Sequence, residues 1–239
     1  VYSYFLQTTT EGFTVIQING LNKSLFGGGH RVNILNGIDL VIPSGQFIAI
    51  TGASGSGKTT LLSLIAGLDE PTEGNIIING QNITKFSEDE LAELRSQHFG
   101  FVFQNFNLIP TLTALENVTL SAELNGSNGT QKKSTELLSL VGLANRNHHY
   151  PSQLSGGEQQ RLSLARAFIN EPSIVLADEP TGNLDSENSK RILDLMSDLH
   201  LNKKSTIALV THEPDVAKKA ERIIVMDDGK IVQDSMPTL

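Results

Sequence analysis

The stretch GASGSGKT, Gly52–Thr59, follows directly on the short apolar run FIAIT, Phe47–Thr51, and this junction leaves the chain few folds to choose from. A nearly continuous apolar run of that length suits a strand buried on both faces, as in a parallel sheet covered by helices. The stretch after it fits G-x-x-x-x-G-K-[ST], and Lys58–Ala66 reads as a helix, so the pattern has the strand–loop–helix setting that it requires. Glycines let the backbone curl until its N–H groups point inward at phosphate oxygens, and the helix start adds a positive dipole end. On this reading Gly52, Ala53, Ser54, Gly55, Ser56, Gly57, Lys58, Thr59 and Thr60 form a cradle for a nucleotide's phosphates. Lys58 would reach the β- and γ-phosphates, and the Thr59 hydroxyl would hold Mg²⁺.

The rest of the chain supports an α/β core with additions. FTVIQI (Phe13–Ile18) and GIDLVI (Gly37–Ile42) alternate with period two, as half-buried antiparallel strands do, and FGGGHR between them reads as a flexible turn. NIIING continues that antiparallel lobe. Ser87 and Glu90 form a capping box that starts a helix over about Glu88–Arg95, before a strand at Phe99–Phe103. From Thr113 to about Val141 apolar residues recur at helical spacing around a loop at Asn125–Thr130, which predicts a helical insertion. SIVLAD, a helix near Ser186–His200, TIALVT and the hairpin VMDDGKIV complete the alternation, with Asp-Gly suited to a tight turn.

Composition narrows the function. The net charge of −8 over 239 residues argues against a nucleic-acid binder, whose affinity needs clustered Lys and Arg. The absence of cysteine excludes disulfides and thiolate metal sites. No apolar run approaches the roughly 18 residues of a membrane helix, so a membrane role would come through a partner. Residues 1–12 carry no assignment.

Three further strand ends carry polar groups. In IVLADEPTGNLDS, Asp178 and Glu179 close an apolar strand at the carboxyl edge of the sheet, where open α/β folds bind ligands. Strand alternation gives the two acids different jobs: Asp178 organises Mg²⁺, and Glu179 faces the attacking water. His212 ends LVTH and can sense a γ-phosphate; Gln104 follows FGFVF, and its amide can touch the Mg²⁺ shell or the water. His148 and His149 sit in a loop without ligand-spaced partners and read as surface groups.

A second glycine pair lies in QLSGGEQQRLSLARA, Gln153–Ala167. LSGGEQQR, Leu154–Arg161, resembles residue for residue the signature motif of ATP-binding cassette (ABC) ATPases. The family's other motifs stand in the family's order: the phosphate loop, Gln104, the signature, IVLADE, NLD (Asn183–Asp185) and His212. The resemblance implies a P-loop NTPase (RecA-like) core with an N-terminal antiparallel β lobe and a helical lobe. It implies one domain over 13–236, with the helical lobe at about 105–165. It implies ATP hydrolysis with Mg²⁺, held by Thr59, Gln104 and Asp178, and catalysis by Glu179, His212, Gln104 and Lys58.

In this family the signature caps the nucleotide of the opposite subunit. The resemblance therefore implies a head-to-tail homodimer in which Ser155, Gly156, Gly157 and Glu158 approach the partner's ATP, with Asp185 beside the seam. Helix-opening N–H groups facing outward make that physically reasonable, whereas capping by Ser155 alone leaves two exposed glycines unexplained. The family's adenine-stacking aromatic falls at Leu25 with Phe26 beside it; either Phe26 stacks or Leu25 supplies apolar contact. Gln46 stands where relatives often carry Glu.

GLDEPTEG, the run from Glu93 to Val118 and LADEPTGNLDS look most like the ATPases of lipoprotein-releasing (LolD-type) and macrolide- or peptide-exporting (MacB-type) complexes. That likeness implies a peripheral position on the cytoplasmic face of the membrane and a transmembrane permease partner. Part of NFNLIPTLTA, Asn105–Ala114, would line the groove for that partner, or would be core of the lobe. A cell-division ATPase and the ATPase of a metabolite importer are the alternatives.

Overall fold

The structure, a computed structural model, describes residues 14–27, 30–126 and 130–235. Strands β1 (Thr14–Gly27) and β2 (His30–Pro43) form a long antiparallel hairpin, followed by β3 (Phe47–Thr51) and helix α1 (Lys58–Ile65). Then come β4 (Glu73–Ile78), β5 (Gln81–Asn82), α2 (Glu88–His98), β6 (Phe99–Phe103), α3 (Ala114–Leu124), α4 (Thr130–Leu140) and α5 (Gly156–Phe168). The chain continues through β7 (Ile174–Asp178), α6 (Ser186–Lys203), β8 (Thr206–Val210), α7 (Pro214–Ala217), β9 (Arg222–Asp227) and β10 (Lys230–Ser235).

Two sheets organise these elements. A four-stranded antiparallel sheet has the order β2-β1-β4-β5, and a six-stranded sheet has the order β10-β9-β3-β8-β7-β6. In the larger sheet β9, β3, β8, β7 and β6 run parallel, with β10 antiparallel at one edge. The apolar runs have a direct cause. Phe47 and Ala49, Val175 and Ala177, Ile207 and Leu209 enter a core shared with α3, α4, α5 and α6. Their neighbours Ile48 and Ile50, Ile174 and Leu176, Ala208 and Val210 enter a second core against α1 and the antiparallel sheet. A strand buried on both faces has no polar positions to spare, so alternation disappears from its sequence.

The hairpin is longer than its alternation suggests. The strands continue through Gly27 and from His30, whereas the sequence predicts a turn over FGGGHR and strands limited to Phe13–Ile18 and Gly37–Ile42. Register shifts between Ile18 and Ser24 break the period-two pattern along this extension, and each bulge moves the next side chain to a new face. Residues 1–13 and 28–29, including Phe13, lie outside the described residues. The capping box at Ser87 and Glu90 is present, with Glu90 Oε2 accepting from the Ser87 amide at 2.7 Å, and α2 runs on to His98. In the β9–β10 turn Asp228 (φ 43°) and Gly229 (φ 71°) are both left-handed, the conformation a two-residue hairpin turn requires.

Candidate nucleotide site

The loop between β3 and α1 is fixed by its surroundings. Gly52 has φ 147°, and a Cβ there would lie 2.1 Å from the Met226 carbonyl oxygen. Gly57 has φ 97°, and a Cβ there would lie 2.7 Å from Leu35 Cδ2 and 2.9 Å from the Ile34 carbonyl. Side chains are thus excluded at both ends by backbone shape and by close approach of β9 and β2. Buried Lys58 folds back on the loop, its Nζ donating to the carbonyls of Gly52 (2.9 Å) and Ala53 (2.7 Å) and to Ser56 Oγ at 3.4 Å.

Above the loop lies a cleft of about 580 Å³, lined by Ile34, Ser54, Gly55, Gly57, Lys58, Thr59, Thr60, Glu179 and His212. Three parallel strands deliver these groups to one sheet edge, because β3, β7 and β8 end together: Ile50 and Asp178 both pair with Val210. The Thr59 hydroxyl donates to Asp178 Oδ1 at 3.3 Å. Burial pushes the Asp178 carboxyl above its usual range and the neighbouring Glu179 charge adds to this, while the Thr59 bond and the Lys58 ammonium oppose it. Among the described residues no three His, Cys, Asp or Glu side chains converge as a metal cage. Mg²⁺ needs no such cage, since it binds one or two protein oxygens and takes the rest of its shell from phosphate and water. Thr59 and Asp178 fit that requirement.

Strand alternation does not separate the two acids. Asp178 is the last residue of β7, and Glu179 lies beyond it with a left-handed φ of 46°. Its amide donates to the Val210 carbonyl at 2.9 Å, and its side chain turns back to the cleft, where His212 Nδ1 is 2.9 Å from Glu179 Oε1. A non-glycine residue held left-handed is strained, and such strain persists where the surroundings impose it.

Gln104 does not line the cleft, but it stands nearby. Its Nε2 donates to Asn183 Oδ1 at 3.3 Å, and Asn183 Nδ2 donates to the Gln104 carbonyl at 3.0 Å. A Cβ at Gly182 would meet Gln104 Nε2 at 2.8 Å and Glu179 Oε2 at 3.4 Å, so this bare glycine lets the two side chains approach from opposite sides. Gln160 carried no signal in the sequence. Fully buried, its Nε2 donates to the carbonyls of Phe103 (3.3 Å) and Pro180 (2.7 Å), tying α5 to the ends of β6 and β7.

The signature residues sit apart from the cleft lining. Ser155 caps α5 with its hydroxyl accepting from the Glu158 amide at 3.3 Å, and Glu158 Oε2 accepts from the Ser155 amide at 2.8 Å. Glu158 also binds Arg146 Nε at 2.9 Å, and this pair with the Ser155 amide lowers its pKa to about 2. Asp185 caps α6 in a similar way, accepting from the Asn188 amide at 2.8 Å and from Asn188 Nδ2 at 2.9 Å. Of the two glycines only Gly156 is exposed. Gly157 is buried, and a Cβ there would lie 2.3 Å from Asn188 Oδ1; it is glycine because α6 packs against it, which corrects the expectation of an exposed pair.

Neither Leu25 nor Phe26 lines the cleft; they are 53% and 84% exposed. Leu25 pairs with Val32, two residues from the cleft residue Ile34, whereas Phe26 pairs with Arg31. Ile34 is the apolar wall that the sequence did not single out. Asn105–Ala114 is divided between surface and core. Asn107 and Ile109 line a groove of about 500 Å³ with Leu68, Phe101 and Leu124, while Leu108 packs against the core. His149 lies 3.5 Å from Arg146 in a surface loop, in keeping with a surface role.

Comparison with known proteins agrees with this geometry. A family described as ABC transporter matches residues 35–182. The macrolide export ATP-binding/permease protein MacB of Rhodopirellula baltica is 46% identical over 225 residues, covering 92% of this chain and 33% of that protein. The uncharacterized ABC transporter ATP-binding protein YbbA of Escherichia coli K12 is 43% identical, covering 92% of this chain and 98% of that protein. The chain thus spans about a third of the MacB relatives and nearly all of YbbA. A dimeric, post-hydrolysis structure of the ATP-binding cassette MJ0796 bound to ADP and Pi superposes with a TM-score of 0.86 at 39% identity, covering 92% of this chain and 98% of that one. With its phosphate loop, its signature helix and this likeness over most of its length, the chain belongs to the ABC transporter family and has the fold of that family's ATP-binding cassette.

Proposed function

We propose that the chain binds and hydrolyses ATP as the motor of a MacB- or LolD-like membrane complex, and that two copies close head to tail around two nucleotides. One observation carries this reading. The cleft holds the phosphate loop, Glu179 and His212, but no residue of Leu154–Arg161, so the chain supplies half of a site and carries the other half elsewhere.

In the closed site the loop amides and Lys58 hold the phosphates, which requires the Nζ to leave the Gly52 and Ala53 carbonyls for a stronger acceptor. Thr59 and Asp178, joined by Gln104 once its amide leaves Asn183, would hold Mg²⁺, which would neutralise charge on the β- and γ-phosphates. Glu179 orients a water for attack on the γ-phosphorus and takes its proton; the bond to the β–γ bridging oxygen breaks and ADP leaves with that oxygen. Ser155 and Gly156 of the second copy bring a helix start to the γ-phosphate. Leu25, Val32 and Ile34 offer adenine an aliphatic surface, with Phe26 as the alternative stacking partner.

The unit that does this is a single domain over about residues 13–236, with the helical lobe over about 105–165. Among the described residues no helix is long and apolar enough to cross a membrane. We assign the apolar groove rimmed by Leu68, Ile109 and Leu124 to a segment of a membrane-embedded permease, which would hold the chain at the cytoplasmic face. Mixing tests the composite site. Lys58→Ala and Ser155→Arg chains each lack one half; combined, they regain one intact site per heterodimer and should trap nucleotide. No recovery on mixing would count against assembly in trans.

A further inference from the structure

Phe106 (φ 59°) and Asn107 (φ 49°) are consecutive left-handed residues without being glycine, just downstream of Gln104. Side chains make this conformation unfavourable, and two in succession do not persist unless other contacts impose them. The imposing contact is Arg166. Its Nη2 donates to the Phe106 carbonyl at 3.0 Å and its Nη1 donates to the Asn107 carbonyl, so one planar fork holds two successive carbonyls. Arg166 sits near the end of α5, the helix that Ser155 opens and Gln160 anchors to β6 and β7.

We propose that Arg166 is a positioning residue for Gln104: by clamping the carbonyls of Phe106 and Asn107 it makes the Gln104 loop and the Ser155 helix one rigid body. The Gln104 side chain, which bonds Asn183 beside the cleft, and the helix start proposed above to meet a second copy then shift together. A guanidinium is needed because a lysine ammonium has no fixed fork to bridge two carbonyls. Asn117 secures the next stretch, accepting from the Ile109 amide at 2.9 Å and donating to the Ile109 carbonyl at 3.1 Å, so Arg166 is the side chain that holds the Phe106 and Asn107 carbonyls while Ile109 is held independently of it.

The consequence for Gln104 rests on the hydrolysis reading above; the clamp itself does not. Hydrogen exchange on the whole chain compares the unchanged protein with Arg166→Met and Arg166→Lys. The Phe106 amide, bonded to the Phe103 carbonyl, should exchange about tenfold faster in Arg166→Met and less so in Arg166→Lys, with the Ile109 amide that Asn117 holds, β3 and α1 unaffected. In steady state kcat should fall about tenfold while KM for ATP stays within about twofold, because the phosphate loop is untouched. Equal exchange at Phe106 in all three proteins would overturn the proposal, as would a uniform rise across the chain. An unchanged protein without ATPase activity would remove the hydrolysis reading, and the exchange pattern would still decide the clamp.

Discussion

His212 Nδ1 lies 2.9 Å from Glu179 Oε1, and the two side chains come from the ends of adjacent strands β8 and β7. An ionised Glu179 only accepts, so Nδ1–H donates, and His212 fixes the orientation of the carboxylate. This contact predicts a division of labour. Glu179→Gln should slow hydrolysis by about a hundredfold or more while ATP still binds, since the group proposed as general base is lost and the phosphate cradle is not. The variant should accumulate as an ATP-bound dimer by sedimentation. His212→Ala leaves the base in place but free to rotate, and its kcat should fall by a smaller factor. Equal losses in both variants would show that His212 does more than orient Glu179.

The two signature glycines should separate stability from function. Gly156 has room, its nearest neighbour being Leu184 Cδ2 at 3.6 Å from an added Cβ, whereas Gly157 would place that atom 2.3 Å from Asn188 Oδ1. Gly157→Ala should therefore destabilise the chain by about 1–3 kcal/mol through overpacking, visible as a lowered Tm. Gly156→Ala should melt as the unchanged protein does, since its added methyl makes only ordinary contacts with Leu184 and Phe106, and on the head-to-tail reading proposed above it should trap less nucleotide as a dimer.

Much of this was legible in the sequence because the physical demands there are local. Phosphate binding needs a glycine loop between strand and helix, and GASGSGKT follows FIAIT directly. The helix start at Ser87 announces itself through Glu90 three residues on. What stayed hidden depends on contacts between distant segments. The left-handed φ of Glu179 cannot be read from its strand, and the buried state of Gly157 is decided by Asn188 on another helix. Arg166 and Gln160 look like ordinary polar positions of an amphipathic helix until β6 and its following loop are in place. The hairpin extension was lost because its bulges erase the period on which strand reading relies.

Glu158 gives the helix start a pH dependence. Its folded-state pKa of about 2 lies below the ordinary value of 4.5, so its carboxylate contributes stability that is present above about pH 4.5 and is lost as pH falls toward 2. Glu158→Gln keeps an acceptor for the Ser155 amide but loses the charge that Arg146 pairs with. Thermal melts across that window should show the unchanged protein losing stability toward acid more steeply than Glu158→Gln, with the difference between them largest above pH 4.5. Parallel curves would show that the Arg146 pair contributes nothing.

Asp178 runs in the opposite direction. Its folded-state pKa is raised, chiefly by burial and further by Glu179, so the folded chain holds this proton more tightly than the unfolded chain does. Stability then falls as pH rises from about 3.8 through the raised value, and at neutral pH the charged group costs folding free energy. Asp178→Asn removes that cost while leaving the Thr59 hydroxyl an amide oxygen to donate to. Without nucleotide the variant should melt a few degrees above the unchanged protein. With ATP and Mg²⁺ the order should reverse if Asp178 meets the metal as proposed, because the cation then offsets the buried negative charge and a neutral amide gains less from it. Hydrolysis should fall by about a hundredfold. A variant less stable than the unchanged protein in both conditions would mean that the Thr59–Asp178 bond, and not an uncompensated charge, dominates at this edge of the sheet.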